Sequence, residues 1–159
     1  MLRIKIVAVG KLKERALTET ADDYAKRLSR YCSIEIIEVA DESISAHESN
    51  AVIVRRLGDE ARRVLDRVKA GAYVVALDMS GDAPDSVGFS KQLASLSGLY
   101  PEIVFIIGGS HGLHADVLAR ADYVLSLSKL TFPHRLARLI LLEQLYRAFK
   151  IINGETYHK

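Results

Sequence analysis

Residues 103–112, IVFIIGGSHG, and residues 125–134, LSLSKLTFPH, decide how this chain folds. In the first, Ile103 to Ile107 is a short unbroken apolar run rich in β-branched side chains, as in a strand covered on both faces. Gly108, Gly109 and Gly112 follow and let the main chain turn or lie close against a ligand. In the second, the period of two in a strand sets Leu125 and Leu127 on one face and Ser126 and Ser128 on the other. Pro133 then opens a long helix. The residue before a proline avoids the α region, so Phe132 is expected at the N-cap, with no oxygen to offer the first helical N–H groups. Those donors are left for water or a ligand. Two buried strands that each end in exposed backbone form a slot suited to a flat polar cofactor.

Outward from that pair, RIKIVAV at 3–9, residues 33–39 and residues 73–79 read as further strands, and the LSLSKLTFPH strand is expected over 122–127. Helices are expected between them at about 14–31, from about 51 to 69, at 87–97 and at 114–120, with a last one at 133–152 that stops at Asn153-Gly154. This alternation predicts a parallel α/β sheet flanked by helices on both faces, in one domain of 159 residues. Ligands of such sheets bind beyond the carboxyl ends of the strands, here Leu77-Asp78, Gly108-Gly109 and Leu127-Ser128. Residues 40–50, ADESISAHESN, have no usable period and read as a mobile surface loop. The arginines of the second helix, among them Arg55, Arg56, Arg62, Arg63 and Arg67, alternate with acids. They read as a solvated face with pairs such as Asp59 and Arg63, in preference to an RNA-binding face.

A net charge of +2 permits nucleic-acid binding without demanding it. The single cysteine, Cys32, excludes an intrachain disulfide and a cysteine cage for zinc. Without a signal-like N-terminus or an apolar run long enough to cross a bilayer, a cytoplasmic protein with no membrane partner is expected.

The glycine loop is neither a GxGxxG dinucleotide fingerprint nor a P-loop. Ser128-Lys129 permits a serine–lysine hydrolase, though no GxSxG elbow frames the serine. His111 and His114 lack the cysteine or carboxylate that would complete a ligand set, so no metal is expected. The last helix is apolar on most sides, which predicts burial against both the sheet and a second subunit. Its tail, GETYHK, taken alone reads as a frayed terminus.

VAVGKLKE at 7–14, FIIGGSHGL at 105–113, SLSKLTFPHRLAR at 126–138 and LLEQLYRAFKIINGETYHK at 141–159 closely resemble the ribosomal RNA large-subunit methyltransferase H family. That family sits in the SPOUT superfamily of S-adenosylmethionine-dependent RNA methyltransferases. The resemblance runs from the first strand to the last residue and is weakest at 40–50 and 82–100. It implies a C-terminal trefoil knot, which periodicity does not show and which the general avoidance of knots argues against. It also implies a homodimer and, as substrate, N3 of a pseudouridine in the 23S rRNA of the assembled ribosome. Carried over by motif, cofactor contacts fall on Leu77, Gly108, Leu127, Ser128, Lys129, Leu130, Thr131 and Phe132. On this reading His158, with Tyr157, positions the base or accepts the N3 proton, Arg147 or Lys159 holds phosphate, and Glu143 orients the group. Because the tail follows the expected interface helix, it would complete the partner's pocket. Lys11, Lys13 and Arg15 are the expected phosphate contacts. The competing reading is a dimer that holds a nucleotide and binds RNA without turnover.

Overall fold

A computed structural model describes residues 1–159. Five strands form one parallel sheet in the order β2-β1-β4-β3-β5: β1 (Arg3–Val9), β2 (Ser33–Val39), β3 (Tyr73–Asp82), β4 (Glu102–Ile107) and β5 (Tyr123–Leu125). The helices are α1 (Arg15–Leu28), α2 (Asn50–Leu65), α3 (Ser86–Leu99), α4 (Ala115–Arg120) and α5 (His134–Ile152). The two faces of the sheet bury different side chains of the same strands. Ile4, Ile6, Ile103 and Phe105 face one core, with Leu93 of α3 and Leu141, Leu142 and Leu145 of α5. Val7, Val9, Val104 and Ile106 face the other, with Ala61 and Val64 of α2 and Val117 of α4. That two-sided burial explains why β4 reads as a continuous apolar run and not as an alternation. The parallel α/β sheet expected from the sequence is therefore present; strand order alone does not define the threading of a knot.

Five expectations require correction. The last strand ends at Leu125, so Ser126 to Ser128 are loop and do not alternate across a sheet face. Helix α5 begins one residue late, with Pro133 and not Phe132 at the N-cap; Pro133 keeps an extended ψ of 143° and offers no side-chain cap. The 40–50 segment is clamped by α2. Arg63 donates to the Ala40 carbonyl at 2.9 Å and pairs with Glu42 at 2.7 Å, while Arg56 pairs with Glu48 at 2.9 Å and donates to the Ser43 carbonyl. Asp59 consequently pairs with Arg62, not Arg63. Finally, much of the apolar breadth of α5 is absorbed within one chain, because α1 and α3 flank it on the sheet. Only Leu136 and Ile152, toward its two ends, remain as exposed large apolar side chains of α5.

Candidate functional site

Leu77 of β3 lies in register with both Ile107 of β4 and Leu125 of β5. Three neighbouring strands thus reach the same level before their chains depart, and the departing loops wall a cleft of about 900 Å³. After β4, Gly109 and Gly112 bridge one another, with the Gly112 N–H donating to the Gly109 carbonyl at 3.2 Å. That fold-back runs over Gly108, where a Cβ would sit 2.6 Å from the Gly112 oxygen, so only glycine fits there. Beyond Leu125, the Ser126 hydroxyl donates to the Ser128 carbonyl at 2.8 Å, and the Ser128 hydroxyl accepts the Leu130 N–H at 3.0 Å. Thr131 then reaches Met79 of β3, with 3.3 Å between hydroxyl and thioether. The Ser126 N–H also donates to the Asp82 carbonyl of β3 at 2.8 Å, and beyond that anchor local turns of the loop hold this wall.

Seven of the eight residues assigned to the cofactor by resemblance line this cleft: Leu77, Gly108, Leu127, Ser128, Leu130, Thr131 and Phe132. Lys129 is exposed and does not. The lining also includes Met79, His134 and Arg135, which were not singled out from the sequence. His134 was legible in principle as a histidine directly after the proline that precedes a helix. The volume and the mix of apolar walls with a few polar groups suit a nucleoside-sized ligand: four apolar side chains can sandwich a purine while main-chain groups bond its edge.

The second cluster gathers on the last helix and the tail. Arg147 binds Glu143 through Nε at 3.0 Å and Nη2 at 2.6 Å. The Tyr157 hydroxyl donates to the same Glu143 oxygen at 3.2 Å, and the Arg147 guanidinium lies 4.8 Å from the Tyr157 ring centre. His158 Nδ1 is 3.2 Å from Arg147 Nη1. The tail turns back because Gly154 adopts φ +64°, and Tyr157 packs edge-on against Tyr146 at 5.0 Å. It is not a frayed terminus. Burial first, then Tyr24 and the Glu143 charge, push the Tyr157 phenol up to about 12, so it is a neutral donor near pH 7. The hydrogen bond from Arg147 to Glu143 raises the guanidinium further above its ordinary value.

A guanidinium can only donate, so His158 Nδ1 accepts and the ring proton sits on Nε2. None of these four residues lines the cleft. Glu143 is nine residues beyond His134, about 14 Å along the helix at 1.5 Å per residue. The two groups of sequence-assigned residues are therefore separate on one chain.

The alternatives lose their chemistry. Ser128 spends its oxygen on a backbone N–H, and the neighbouring Lys129 is exposed, so no base serves a serine nucleophile. His114 caps α4 through Nδ1 at 3.1 Å from the Asp116 N–H, and His111 bonds Ser110. No group of three or more His, Cys, Asp or Glu side chains is placed to hold a metal ion. Burial pushes the Cys32 thiol up to about 12, which leaves it unreactive. No helix is long and apolar enough to cross a membrane.

Residues 2–158 match the family described as "Predicted SPOUT methyltransferase". The chain is 54% identical over 164 residues to the "Ribosomal RNA large subunit methyltransferase H" of Ruminiclostridium cellulolyticum, covering 99% of this chain and 100% of the relative. It is 51% identical to the protein of the same name from Acetivibrio thermocellus, with the same coverage. Among solved structures it is similar to a probable methylase family protein from Haemophilus influenzae, with a TM-score of 0.53 at 12% identity over 99% of this chain and 70% of that one. At such identity the likeness speaks to the fold.

Proposed function

The chain belongs to the SPOUT methyltransferase family, and from this premise we infer that it methylates large-subunit ribosomal RNA with S-adenosylmethionine as donor. The carrying observation is the cleft itself: residues from three separate segments, assigned to the donor by motif, converge on one cavity of suitable size. When bound there, S-adenosylmethionine supplies a methyl group already activated by its sulfonium. The chain's own residues then have three tasks. They align the nucleophile with the methyl carbon, exclude water, and remove the proton from the attacking nitrogen. Leu77, Leu127, Leu130 and Phe132 supply the dry walls, and Gly108 the close main-chain approach.

The relatives' name supports large-subunit ribosomal RNA as the substrate, and the resemblance supports N3 of a pseudouridine in 23S rRNA as the acceptor, presented by the assembled ribosome. The resemblance equally supports a trefoil-knotted single domain, a homodimer and action in the cytoplasm. The tail cluster lies away from its own cleft, which favours the dimer: Glu143, Arg147, Tyr157 and His158 would complete the partner's site. There the His158 Nε2–H suits it to donate to a base carbonyl or a phosphate, and the Tyr157 ring suits it to stack on a base. Purified protein incubated with ribosomes and methyl-labelled S-adenosylmethionine is expected to transfer label to the large-subunit RNA. Binding of both without transfer would instead establish a nucleotide-holding RNA-binding dimer.

The basic β1–α1 loop gives a second expected result. Arg138, buried in α5, donates to Glu38 at 2.8 Å and to the Gly10 carbonyl at 3.1 Å, while Glu38 also accepts the Leu12 N–H at 2.7 Å. Arg135 on the cleft wall pairs with Glu14. Lys11 and Lys13 are thereby held exposed beside the cleft, whereas Arg15 is paired with Glu19 at 2.7 Å. Replacing both lysines by alanine is expected to lower the slope of log affinity for ribosomes against log salt by about 2, one per lost phosphate contact. An unchanged slope would remove this loop from the RNA interface.

A further inference from the structure

Two titratable side chains of the cleft wall have no task in the reading above, Asp78 and His134. Asp78 is already occupied: its carboxylate accepts the Ser80 N–H at 3.0 Å and the Ser80 hydroxyl. His134 is not. It is the first residue of α5, half-buried in the cleft wall beside Phe132. No group of the protein hydrogen-bonds its ring, and neither ring nitrogen is among the polar atoms sealed from water without a partner, so the imidazole nitrogens are unpaired and reachable by water on a residue that lines the cleft.

We propose that His134 is the base that takes the proton from the attacking ring nitrogen of the RNA, a role that rests on the methyl-transfer reading above. A ring nitrogen flanked by carbonyls carries a weakly acidic hydrogen, and its electron pair becomes available only as that hydrogen leaves. The proton passes to the open imidazole nitrogen, and the electrons of the N–H bond remain on the ring nitrogen. They form the new bond to the methyl carbon as the carbon–sulfur bond breaks, with that pair staying on sulfur. The products are the methylated base, a neutral thioether and an imidazolium, which returns its proton to water at the cleft mouth.

The surroundings of His134 suit a base that must start neutral. Burial first, then the charges of Arg135 and Arg138 on the same helix, hold the imidazole below its ordinary value. Asp41 from the loop after β2 and Glu14 ahead of α1 oppose that shift without reversing it. The positive end of α5 disfavours an imidazolium as well. At physiological pH the ring therefore has a free electron pair, and once protonated it is driven to release its proton. The other candidate base, His158, does not line this cleft and has only an N–H to present to a partner's, because its accepting nitrogen is already engaged by Arg147.

The test uses His134→Asn, with His134→Gln as a second isostere, in the full chain on intact ribosomes. Three quantities are read: S-adenosylmethionine affinity by calorimetry, single-turnover methyl transfer across pH, and the titration of the histidine ring protons by NMR. Wild type is expected to lose rate only as pH falls through the depressed His134 value, and one histidine resonance, absent in His134→Asn, should titrate below about 6.5. Both variants should bind the donor as wild type does but transfer methyl roughly 10²–10⁴-fold more slowly. Their rates should climb continuously with pH, as hydroxide and ionisation of the base replace the imidazole. Single-turnover rates within a few-fold of wild type, an unchanged pH profile, or a loss residing wholly in donor affinity each overturn the proposal. If wild type itself leaves ribosomes unlabelled, the methyl-transfer reading falls and takes this one with it. If wild type labels them and His134→Asn labels them equally, the role of His134 alone is lost.

Discussion

Gly81→Ala is expected to lower the melting temperature by about 10 °C and to weaken S-adenosylmethionine binding at least tenfold. The reason lies in how β3 passes β5. Leu125 pairs with Leu77 and again with Asp82, so residues 78–81 of β3 form a bulge between those two pairings. Asp78 and Met79 of that bulge form part of the cleft wall. Gly81 closes it, and a Cβ there would lie 2.4 Å from the Val124 oxygen, 2.5 Å from its carbonyl carbon and 2.8 Å from the Leu125 nitrogen. All three are backbone atoms of a strand, so no rotamer change relieves the clash. Overpacking of this kind costs about 3 kcal/mol, and at 2–4 °C per kcal/mol for a chain of this size the shift follows. If the protein avoids the clash by swinging 78–81 outward, Met79 leaves Thr131 and the cleft widens, which is the source of the lost affinity. Gly98→Ala in α3, where an added Cβ meets nothing within 4 Å, serves as the control. It should be neutral or stabilise by up to about 1 kcal/mol. If Gly81→Ala melts with the control, the bulge of β3 beside β5 does not shape the cleft.

Gly81 also marks where sequence reading stops. A glycine after Met79-Ser80 looks like part of a turn-rich segment, SGDAPDS, and nothing in its neighbours announces that Val124 will lie against it. Close approach between residues some 40 apart is set by topology, which hydropathy does not encode. The strands were legible for the opposite reason. Burial on both faces imposes a continuous apolar run at β4 and at the start of β3, a property of the residues themselves. The loops assigned to the cofactor by resemblance stood out because Gly108-Gly109 and Ser126 to Pro133 supply backbone and small side chains at strand ends, and the structure brings them to one cleft. The clamp of Arg56 and Arg63 on the 40–50 loop was hidden, since long basic side chains on a polar helix face read alike whether solvated or engaged. His134 was overlooked because a histidine after a proline at a helix start is unremarkable until its ring is seen in a cavity wall.

Two inactive proteins are expected to make one active dimer. Thr131→Arg places a long charged side chain in the cleft from an exposed position, and should block the donor while leaving the fold intact. Removal of residues 155–159 deletes Tyr157 and His158. Besides the edge-on contact with Tyr146, worth about 1 kcal/mol, the deletion removes the Tyr157 bond to Glu143 and the Glu155 bonds to Lys150 and Tyr31, so the melting temperature and dimer mass of the truncated chain are checked before its rate is read. Each homodimer should transfer methyl to ribosomes roughly 100-fold more slowly than wild type. When the two chains are co-expressed and the mixed dimer isolated, the outcome depends on which chain supplies the tail. If cleft and tail act within one chain, every site in the mixed dimer carries one lesion and the protein stays inactive. If the tail crosses to the partner, one site carries both lesions, while the other joins an intact cleft to an intact tail and works. The separation of Glu143 from the cleft wall, about 14 Å of helix, favours the second arrangement. Restored activity with one functional site per dimer would establish a shared site. An inactive mixed dimer that still binds S-adenosylmethionine in its single open cleft would exclude it and assign the tail to the cleft of its own chain.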